Sequence, residues 1–243
     1  MFFNKRKEKQ DFLDAQQLEG ASLITVTKPS SPISEQFRTI RTNIQFSMIG
    51  EELKTIMFTS SGPWEGKSTV SSNIAVLFAS QGKKVLYVDC DMRKPTVHRT
   101  FNLPNLMGLT NLLTDKSIDY SACIQHVESA NLFVMTSGPK PPNPSELLNS
   151  NRMNEVIEEL STIFDLVIFD LPPVVTVTDA QVMATKTDGV VVVVRRGIAD
   201  RGNVFKAKEL LDNVNANVLG AVFNGAEEKS DRAYTGYYYS SEE

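Results

Sequence analysis

The stretch "TIMFTSSGPWEGKST", residues 55–69, contains the strongest structural signal in the chain. "TIMFTS" is a short apolar run that predicts a buried strand. "STVSSNIAVLFASQG", which begins at Ser68, has the apolar content of a buried helix, and Gly82 is a suitable residue to end it. The loop between the two elements contains Gly66 and Lys67. A strand, a glycine-containing loop and a helix in this order predict a site where backbone N–H groups hold an anion.

The loop matches most of the pattern G-x-x-x-x-G-K-[ST], in which backbone N–H groups cradle phosphate oxygens. Ser61 stands at the first glycine position, whereas Gly66, Lys67 and Ser68 match. Lys67 is expected to neutralise the β- and γ-phosphates of a nucleotide, and the Ser68 hydroxyl is expected to bind Mg²⁺. The residues expected to bind the nucleotide here are Gly62, Glu65, Gly66, Lys67, Ser68 and Thr69. The alternative, a chance loop–helix junction, is disfavoured because strand, loop and helix agree.

Carboxylates end two further predicted strands. In "VLYVDCDMRKP", Asp89 and Asp91 are two residues apart, so an extended chain points both to the same side. In "LVIFDLPP", Asp170 has the position of the Walker B carboxylate, which reaches Mg²⁺ directly or through water. Such carboxylates beside a phosphate loop suit Mg²⁺ binding and proton abstraction. The alternatives are a solvated acidic loop for the pair and a turn-capping role for Asp170.

Five predicted strands alternate with helices along the chain. After "TIMFTS" come "KKVLYVD", "FDLVIFD", "GVVVVV" and "ANVLGAVFN", and helical patterns include "SELLNSNRMNEVIEELST" and "RGNVFKAKELLDNV". This order predicts an α/β fold of the P-loop NTPase type, with a mostly parallel sheet and helices on both faces. We assign residues 23–225 to this domain, 1–22 to a flexible N-terminal arm and 226–243 to a flexible, tyrosine-rich tail.

The composition limits the partners and the compartment. The 243 residues carry a net charge of −4, so no general basic field favours nucleic acid. Cys90 and Cys123 form no metal-ligand pattern, and the basic N-terminus is not followed by the apolar core of a signal peptide. No apolar run approaches the roughly 18 residues that a membrane span needs. A cytoplasmic protein is therefore expected, and another molecule must recruit it if it acts at a membrane.

These motifs together resemble those of the bacterial protein-tyrosine kinases (BY-kinases) of capsule and exopolysaccharide systems. The resemblance extends over residues 24–243, which is nearly the whole chain. The stretches that carry it are "SSGPWEGKST", "LYVDCDMRKP", "LVIFDLPPV", "ISEQFRTIRTNI", "TSGPKPPNPSELL" and the terminal tyrosine cluster. The family usually has Pro-Gly where this loop has Pro63-Trp64.

The resemblance implies a role for each motif residue. Lys67 and Ser68 correspond to the phosphate- and Mg²⁺-binding positions, and Asp91 corresponds to the other Mg²⁺ ligand. Asp89 corresponds to the candidate base for the tyrosine hydroxyl, and Asp170 to the Walker B carboxylate near the metal. The implied catalytic residues are thus Asp89, Lys67 and Asp170. The implied metal ligands are Ser68, Asp91 and Asp170, with ATP and Mg²⁺ as cofactors.

The resemblance also extends to substrates and partners. It implies an autokinase that modifies Tyr234, Tyr237, Tyr238 and Tyr239 and regulates capsular or exopolysaccharide synthesis. It implies a membrane-anchored activator or co-polymerase that recruits the protein to the inner face of the cell membrane; other protein substrates are compatible with it. Asn224 matches a position that often contacts adenine in related ATPases, and a structural turn role is the alternative.

A helix that precedes the first strand suggests an oligomer contact. Its apolar stripe is predicted to consist of Ile33, Phe37, Ile40 and Ile44, which leaves a charged row, Glu35, Arg38 and Arg41, facing outward. A solvated face is the ordinary interpretation of such a row. The pattern E-x-x-R-x-x-R resembles the subunit-contact motif of the kinase family, which implies a ring-forming homo-oligomer.

A partitioning or division-site ATPase, which switches without phosphate transfer to protein, is the alternative function. Such proteins share the fold and usually carry a signature lysine where this chain has Gly62. Their membrane-binding members end in a basic amphipathic helix, whereas this chain ends in tyrosines and glutamates. Both features favour the kinase.

Overall fold

A computed structural model describes residues 20–47 and 53–226. The predicted tyrosine tail, apart from its first residue, and residues 1–19 of the predicted arm lie outside this part of the chain. The strands are β1 (Thr55–Ser60), β2 (Val85–Asp89), β3 (Ile124–Val127), β4 (Leu132–Met135), β5 (Leu166–Asp170), β6 (Gly189–Arg195) and β7 (Val218–Asn224). The α-helices are α1 (Ile24–Thr27), α2 (Pro32–Phe46), α3 (Lys67–Ala79), α4 (Val97–Thr100), α5 (Leu109–Thr114), α6 (Pro144–Asn149), α7 (Asn151–Ile163), α8 (Asp179–Ala184) and α9 (Arg201–Asp212).

The strands form a seven-stranded sheet in the order β3-β4-β2-β5-β1-β6-β7. All neighbours pair in parallel except β3 and β4, which are antiparallel. The α/β fold with a mostly parallel sheet and helices on both faces is therefore confirmed. The carboxyl ends of β1, β2 and β5 meet at one edge, where open α/β sheets bind their ligands.

Apolar side chains pack on both faces of the sheet. Successive strand residues point to opposite faces, so β2 contributes Leu86 and Val88 to one apolar cluster and Val85 and Tyr87 to the other. The first cluster includes side chains of α5 to α9, and the second includes side chains of α2 and α3. This two-sided burial explains why the central strands are continuous apolar runs rather than alternating ones.

Three details differ from the sequence-based expectations. The short strands β3 and β4 were not predicted, since each has only four residues and β3 is only partly buried. The helical pattern after residue 144 is two helices, because Ser150 is extended and its hydroxyl accepts the Met153 N–H to cap α7. Ile33 is 49% exposed and does not belong to the buried stripe of α2, where the fully buried Ser34 takes its place.

Residues 20–22, which were predicted to belong to the arm, pack on the domain. The Ala21 N–H donates to the Thr100 hydroxyl at 2.9 Å. The buried Asn73 amide of α3 donates to the carbonyl oxygens of Ser22 and Thr69, both at 2.8 Å, and its oxygen accepts from Thr25. The N-terminal segment is thereby fixed one helical turn from the phosphate loop.

Candidate active site

Two predicted carboxylates lie side by side at the carboxyl edge of the sheet. Asp89 at the end of β2 is the register partner of Asp170 at the end of β5. Both residues are fully buried. Parallel pairing therefore brings together two residues that are 81 positions apart in sequence, next to the loop that follows β1.

Lys67 lies between the two acidic elements. Its Nζ is 3.2 Å from Asp91 Oδ2 and 3.4 Å from Asp170 Oδ2, and the Ser68 hydroxyl donates to the same Asp170 oxygen. Burial alone would lower the pKa of Lys67, but the negative charges of Asp170 and Asp91 outweigh burial and raise it. The Lys67 side chain therefore remains positively charged at the start of α3, where the phosphate loop ends.

Asp89 accepts three backbone N–H groups of the segment that follows β2. Its Oδ2 accepts the N–H groups of Thr96 and Val97 at 3.1 and 3.0 Å, and its Oδ1 accepts the Asp91 N–H at 3.1 Å. These bonds shape the loop that carries Asp91. Burial, reinforced by the neighbouring charges of Asp170 and Asp91, raises the pKa of Asp89 to about 8. Burial likewise raises the pKa of Asp170, although Lys67 opposes that shift.

The phosphate loop needs a glycine at position 66. Gly66 has φ 85°, in the left-handed region, and a Cβ there would lie 2.3 Å from Asn224 Nδ2. That amide donates to the Glu65 carbonyl oxygen at 3.0 Å, so the end of β7 supports the loop. Asn224 thus has the structural contact that was one of its two predicted roles, and it also lines the cavity described below.

Ser61, at the first glycine position of the loop pattern, contacts the loop through its side chain. Its hydroxyl donates to Glu65 Oε1 at 2.5 Å across the base of the loop. Glu65 is only 2% exposed, and burial raises its pKa. Glu65 was expected to bind the nucleotide, and this side-chain contact with Ser61 was not predicted.

An open cavity of about 450 Å³ lies over these residues. Its walls include Gly66, Lys67, Ser68, Thr69 and Asp91 from the predicted site. The other wall residues include Trp64, Lys94 and Pro173, which lie within the quoted motifs. Gly20, Ala21, Ser22, Thr96 and Arg195 also line the cavity, and no sequence motif indicated them.

The acidic residues fit a magnesium ion that is shared with a phosphate ligand. Within residues 20–47 and 53–226, no group of three or more His, Cys, Asp or Glu side chains could hold a metal alone. Mg²⁺ characteristically keeps several waters and binds one or two carboxylates together with substrate phosphates. Ser68, Asp91 and Asp170 provide such an incomplete set of hard oxygen ligands beside Lys67.

A second ion pair, between the partly exposed Arg93 and the buried Asp179, holds the loop that carries Asp91. Arg93 donates to both carboxylate oxygens of the fully buried Asp179, at 2.9 and 3.0 Å, and to the Ser145 hydroxyl at 3.1 Å. The three residues come from the β2 loop, α8 and α6. This bidentate pair connects the loop to α8, and the sequence did not indicate it.

The charged row of α2 lies away from this site and is only partly exposed. The Glu35 side chain is 64% exposed and pairs with Arg38, whose side chain is 33% exposed. Arg41 is half-buried, and its guanidinium donates to the Leu77 carbonyl oxygen of α3 at 3.4 Å. The expectation that all three side chains face outward is therefore wrong for Arg41, because this long side chain folds over the end of α3.

The fold and the site define a P-loop nucleotide-binding domain, and comparisons with known proteins agree. A family model described as an AAA domain matches residues 53–216. The chain is 46% identical over 217 residues to the tyrosine-protein kinase YwqD of Bacillus subtilis, covering 89% of this chain and 91% of that protein. It is 45% identical to the putative tyrosine-protein kinase CapB of Staphylococcus aureus, covering 89% and 93%. The chain belongs to the bacterial tyrosine-protein kinases.

Solved structures support the same assignment. The kinase domain of Escherichia coli tyrosine kinase ETK superimposes with a TM-score of 0.82 at 33% identity, covering 89% of this chain and 85% of that one. The chimerical protein CapA2B2 gives 0.79 at 43% identity, covering 88% and 97%. Cobyrinic acid a,c-diamide synthase of Mycobacterium smegmatis gives 0.61 at 19% identity over 70% of this chain and 72% of that one, which shows the shared fold alone.

Proposed function

We propose that this tyrosine kinase transfers the γ-phosphate of ATP to Tyr234, Tyr237, Tyr238 and Tyr239 of its own C-terminal tail. The observation that carries this proposal is the contact of the Lys67 ammonium with Asp91 and Asp170, beside the Ser68 hydroxyl. A cation and a set of hard oxygen ligands at the start of a helix suit phosphoryl transfer, where catalysis is mostly positioning and charge stabilisation.

The proposed roles follow from the positions of the side chains. Lys67 binds the β- and γ-phosphate oxygens, supported by the backbone N–H groups of the loop from Gly62 to Thr69. Ser68, Asp91 and Asp170 hold Mg²⁺, which neutralises charge on the phosphates when it is bound. Asn224 and Arg195 line the cavity on the β6–β7 side.

Asp89 is proposed as the base that accepts the tyrosine proton. Burial raises the pKa of Asp89, so its ionised form has a higher proton affinity than an ordinary carboxylate and suits general base catalysis. The three backbone N–H groups that it binds leave one of its four acceptor positions unused. Tyrosine has a pKa of about 10, so its proton must leave as the oxygen attacks phosphorus.

A phosphotyrosine assay tests this function. Full-length protein is incubated with Mg²⁺ and ATP, and phosphotyrosine is compared between the wild type and a variant with all four tail tyrosines changed to phenylalanine. The wild type is expected to become modified while the variant retains ATP binding and shows little phosphotyrosine. Equal phosphotyrosine in both proteins would place the acceptor elsewhere.

We further propose that the kinase assembles as a ring in which the tail of one subunit enters the site of its neighbour. Glu35 and Arg38 of α2 offer an exposed ion pair at the contact. A membrane-anchored activator recruits this assembly to the inner face of the membrane, where it regulates capsular or exopolysaccharide synthesis. Within residues 20–47 and 53–226, no helix has the length and apolarity of a membrane span.

Replacement of Glu35, Arg38 and Arg41 by alanine is expected to lower the assembly mass measured by light scattering, with the circular dichroism spectrum retained. Arg41 also packs on α3, so its replacement removes a contact within the subunit. A variant that changes only Glu35 and Arg38 to alanine therefore measures the effect of the surface residues alone. The exposed pair Lys206 and Glu209, changed to alanine, is the control that keeps its mass. An unchanged mass in the triple variant would show that the row is only a solvated face.

Tail phosphorylation is expected to release the subunits. Each phosphate adds about −1.5 to −2 charges, next to Asp231, Glu242 and Glu243. Repulsion between tails and the acidic site should therefore grow with each transfer. ATP treatment should convert assemblies to monomers in light scattering, and the four-phenylalanine variant should stay assembled. Dissociation of that variant by ATP would show that nucleotide binding, rather than tail phosphorylation, is the release step.

A further inference from the structure

Trp64 is the residue of the phosphate loop that the loop pattern does not explain. It is the single tryptophan of the chain, and its φ of 68° lies in the left-handed region, where a bulky residue is rare. Its carbonyl oxygen accepts from Arg195 Nη1 at 3.2 Å, which helps to hold this conformation. Strained backbone of this kind persists where the surroundings enforce it, and it is enriched at binding sites.

The Trp64 side chain extends toward the loop that carries Asp91. Lys94 Nζ lies 5.9 Å from the centroid of the indole ring, within the range of a cation–π contact. The backbone N–H of Lys94 donates to Asp91 Oδ1 at 3.0 Å, so the backbone that carries this cation is fixed beside a proposed metal ligand. The Trp64 carbonyl oxygen accepts from Arg195 of β6, whereas its ring faces Lys94.

We propose that Trp64 and Lys94 form the binding site for the acceptor tyrosine, which is supplied by the C-terminal segment of a second copy of this chain. This inference rests on the proposed function and names its acceptor site. Both side chains line the same cavity as Lys67, Ser68 and Asp91, and Trp64 is half-exposed while Lys94 is exposed. A phenol ring can stack on the indole face or edge, a geometry that aromatic pairs prefer.

Charge complementarity favours this occupant. The segment 231–243, "DRAYTGYYYSSEE", has three acidic residues and one arginine around its tyrosines. Lys94 offers it a cation at the rim of a site whose interior is acidic. Trp64 and Lys94 line the same cavity as Lys67 and Asp91, so a tyrosine ring that contacts them lies in the cavity where phosphate transfer is proposed.

Tryptophan fluorescence tests binding without requiring phosphate transfer. The full chain, with its four tail tyrosines changed to serine, is titrated in Mg²⁺-ADP with the peptide of residues 231–243. A saturable change in emission is expected with this peptide, and none is expected with the same peptide carrying serine for tyrosine. Equal responses to the two peptides would overturn the proposal, even if the kinase assay succeeds.

Kinetics of the same full chain provides the second test. Trp64→Gly is expected to raise the KM for the peptide about tenfold, whereas Trp64→Phe keeps it within about threefold of the parent because an aromatic ring is retained. Trp64→Gly removes left-handed strain, so its melting temperature should not fall. Lys94→Gln should raise the peptide KM by about threefold. Phe205→Ala removes an exposed aromatic residue beside Arg201 on α9 and is the control with an unchanged KM.

Two kinetic results would contradict the proposal. A peptide KM that is the same in Trp64→Gly and the parent would show that the indole does not receive the acceptor. A rise in the KM for ATP alone would assign the indole to the nucleotide instead. A parent chain that binds the peptide but transfers no phosphate would contradict the proposed function and leave the acceptor site supported.

Discussion

Replacement of Lys67 by methionine is expected to reduce tyrosine phosphorylation by on the order of 10³-fold. The lysine ammonium contacts Asp91 and Asp170 and is the cation at the foot of the phosphate loop. Methionine has a similar length but carries no charge, so the phosphates lose their cationic partner and the two carboxylates lose theirs. The measurement is the initial rate of phosphotyrosine formation at saturating ATP.

The control for this variant is Lys116→Met. The Lys116 side chain is 76% exposed and its nearest acidic partner, Glu155, is 3.8 Å away, so wild-type activity is expected. Circular dichroism verifies that Lys67→Met is folded, because two buried carboxylates are left without their cation. A folded Lys67→Met protein with the wild-type rate would rule out the assigned role of the phosphate loop.

Changing Asp89 and Asp91 separately to asparagine is expected to affect different properties, turnover for Asp89 and nucleotide binding for Asp91. Asp91→Asn removes a hard anionic ligand and should weaken binding of Mg²⁺-ATP, measured by calorimetry. Asp89→Asn should retain nucleotide binding and lower turnover by about 10²-fold, as expected for loss of a general base. The asparagine oxygen can still accept the Thr96 and Val97 N–H groups, whereas its amide nitrogen cannot accept the Asp91 N–H, so the Asp91 loop keeps two of its three bonds to this side chain.

Asp188→Asn is a matched control for Asp89→Asn, because the Asp188 carboxylate also accepts backbone N–H groups. Its Oδ2 accepts the N–H groups of Lys54 and Thr55 at 2.9 and 2.8 Å, at the start of β1 and far from the phosphate loop. Asp188→Asn is expected to affect stability but not turnover. Equal loss of nucleotide binding in Asp89→Asn and Asp91→Asn would leave no support for Asp89 as a separate base.

The central strands and the main site residues were predictable because their signals are local. Apolar runs that end in Asp89 and Asp170 predicted two strands of a mostly parallel sheet, and the structure shows both strands with their carboxylates at the carboxyl ends. The Lys67 and Ser68 positions followed from the strand–loop–helix context. In each case the motif and the secondary structure are encoded within about a dozen consecutive residues, so no long-range contact had to be inferred.

The contacts that the sequence did not reveal depend on residues distant in the chain. Asn73 fixes the N-terminal segment beside the site, and Asp179 fixes the Asp91 loop through Arg93. Neither residue belongs to a local pattern, because its partner is defined only when the helices pack on the sheet. The strands β3 and β4 were missed for a related reason, since their four-residue runs become strands by pairing with each other and with β2.

The central claim is that the phosphate is transferred to the tail tyrosines, and peptide-mapping mass spectrometry after Mg²⁺-ATP treatment tests it most directly. The protein is digested with and without the cytosolic fragment of the membrane partner, and each tyrosine is scored for added phosphate. The account predicts phosphate on Tyr234, Tyr237, Tyr238 and Tyr239, with more in the presence of the fragment and none in Lys67→Met. Conversion of ATP to ADP with no phosphotyrosine in any peptide would contradict it and favour an ATPase switch.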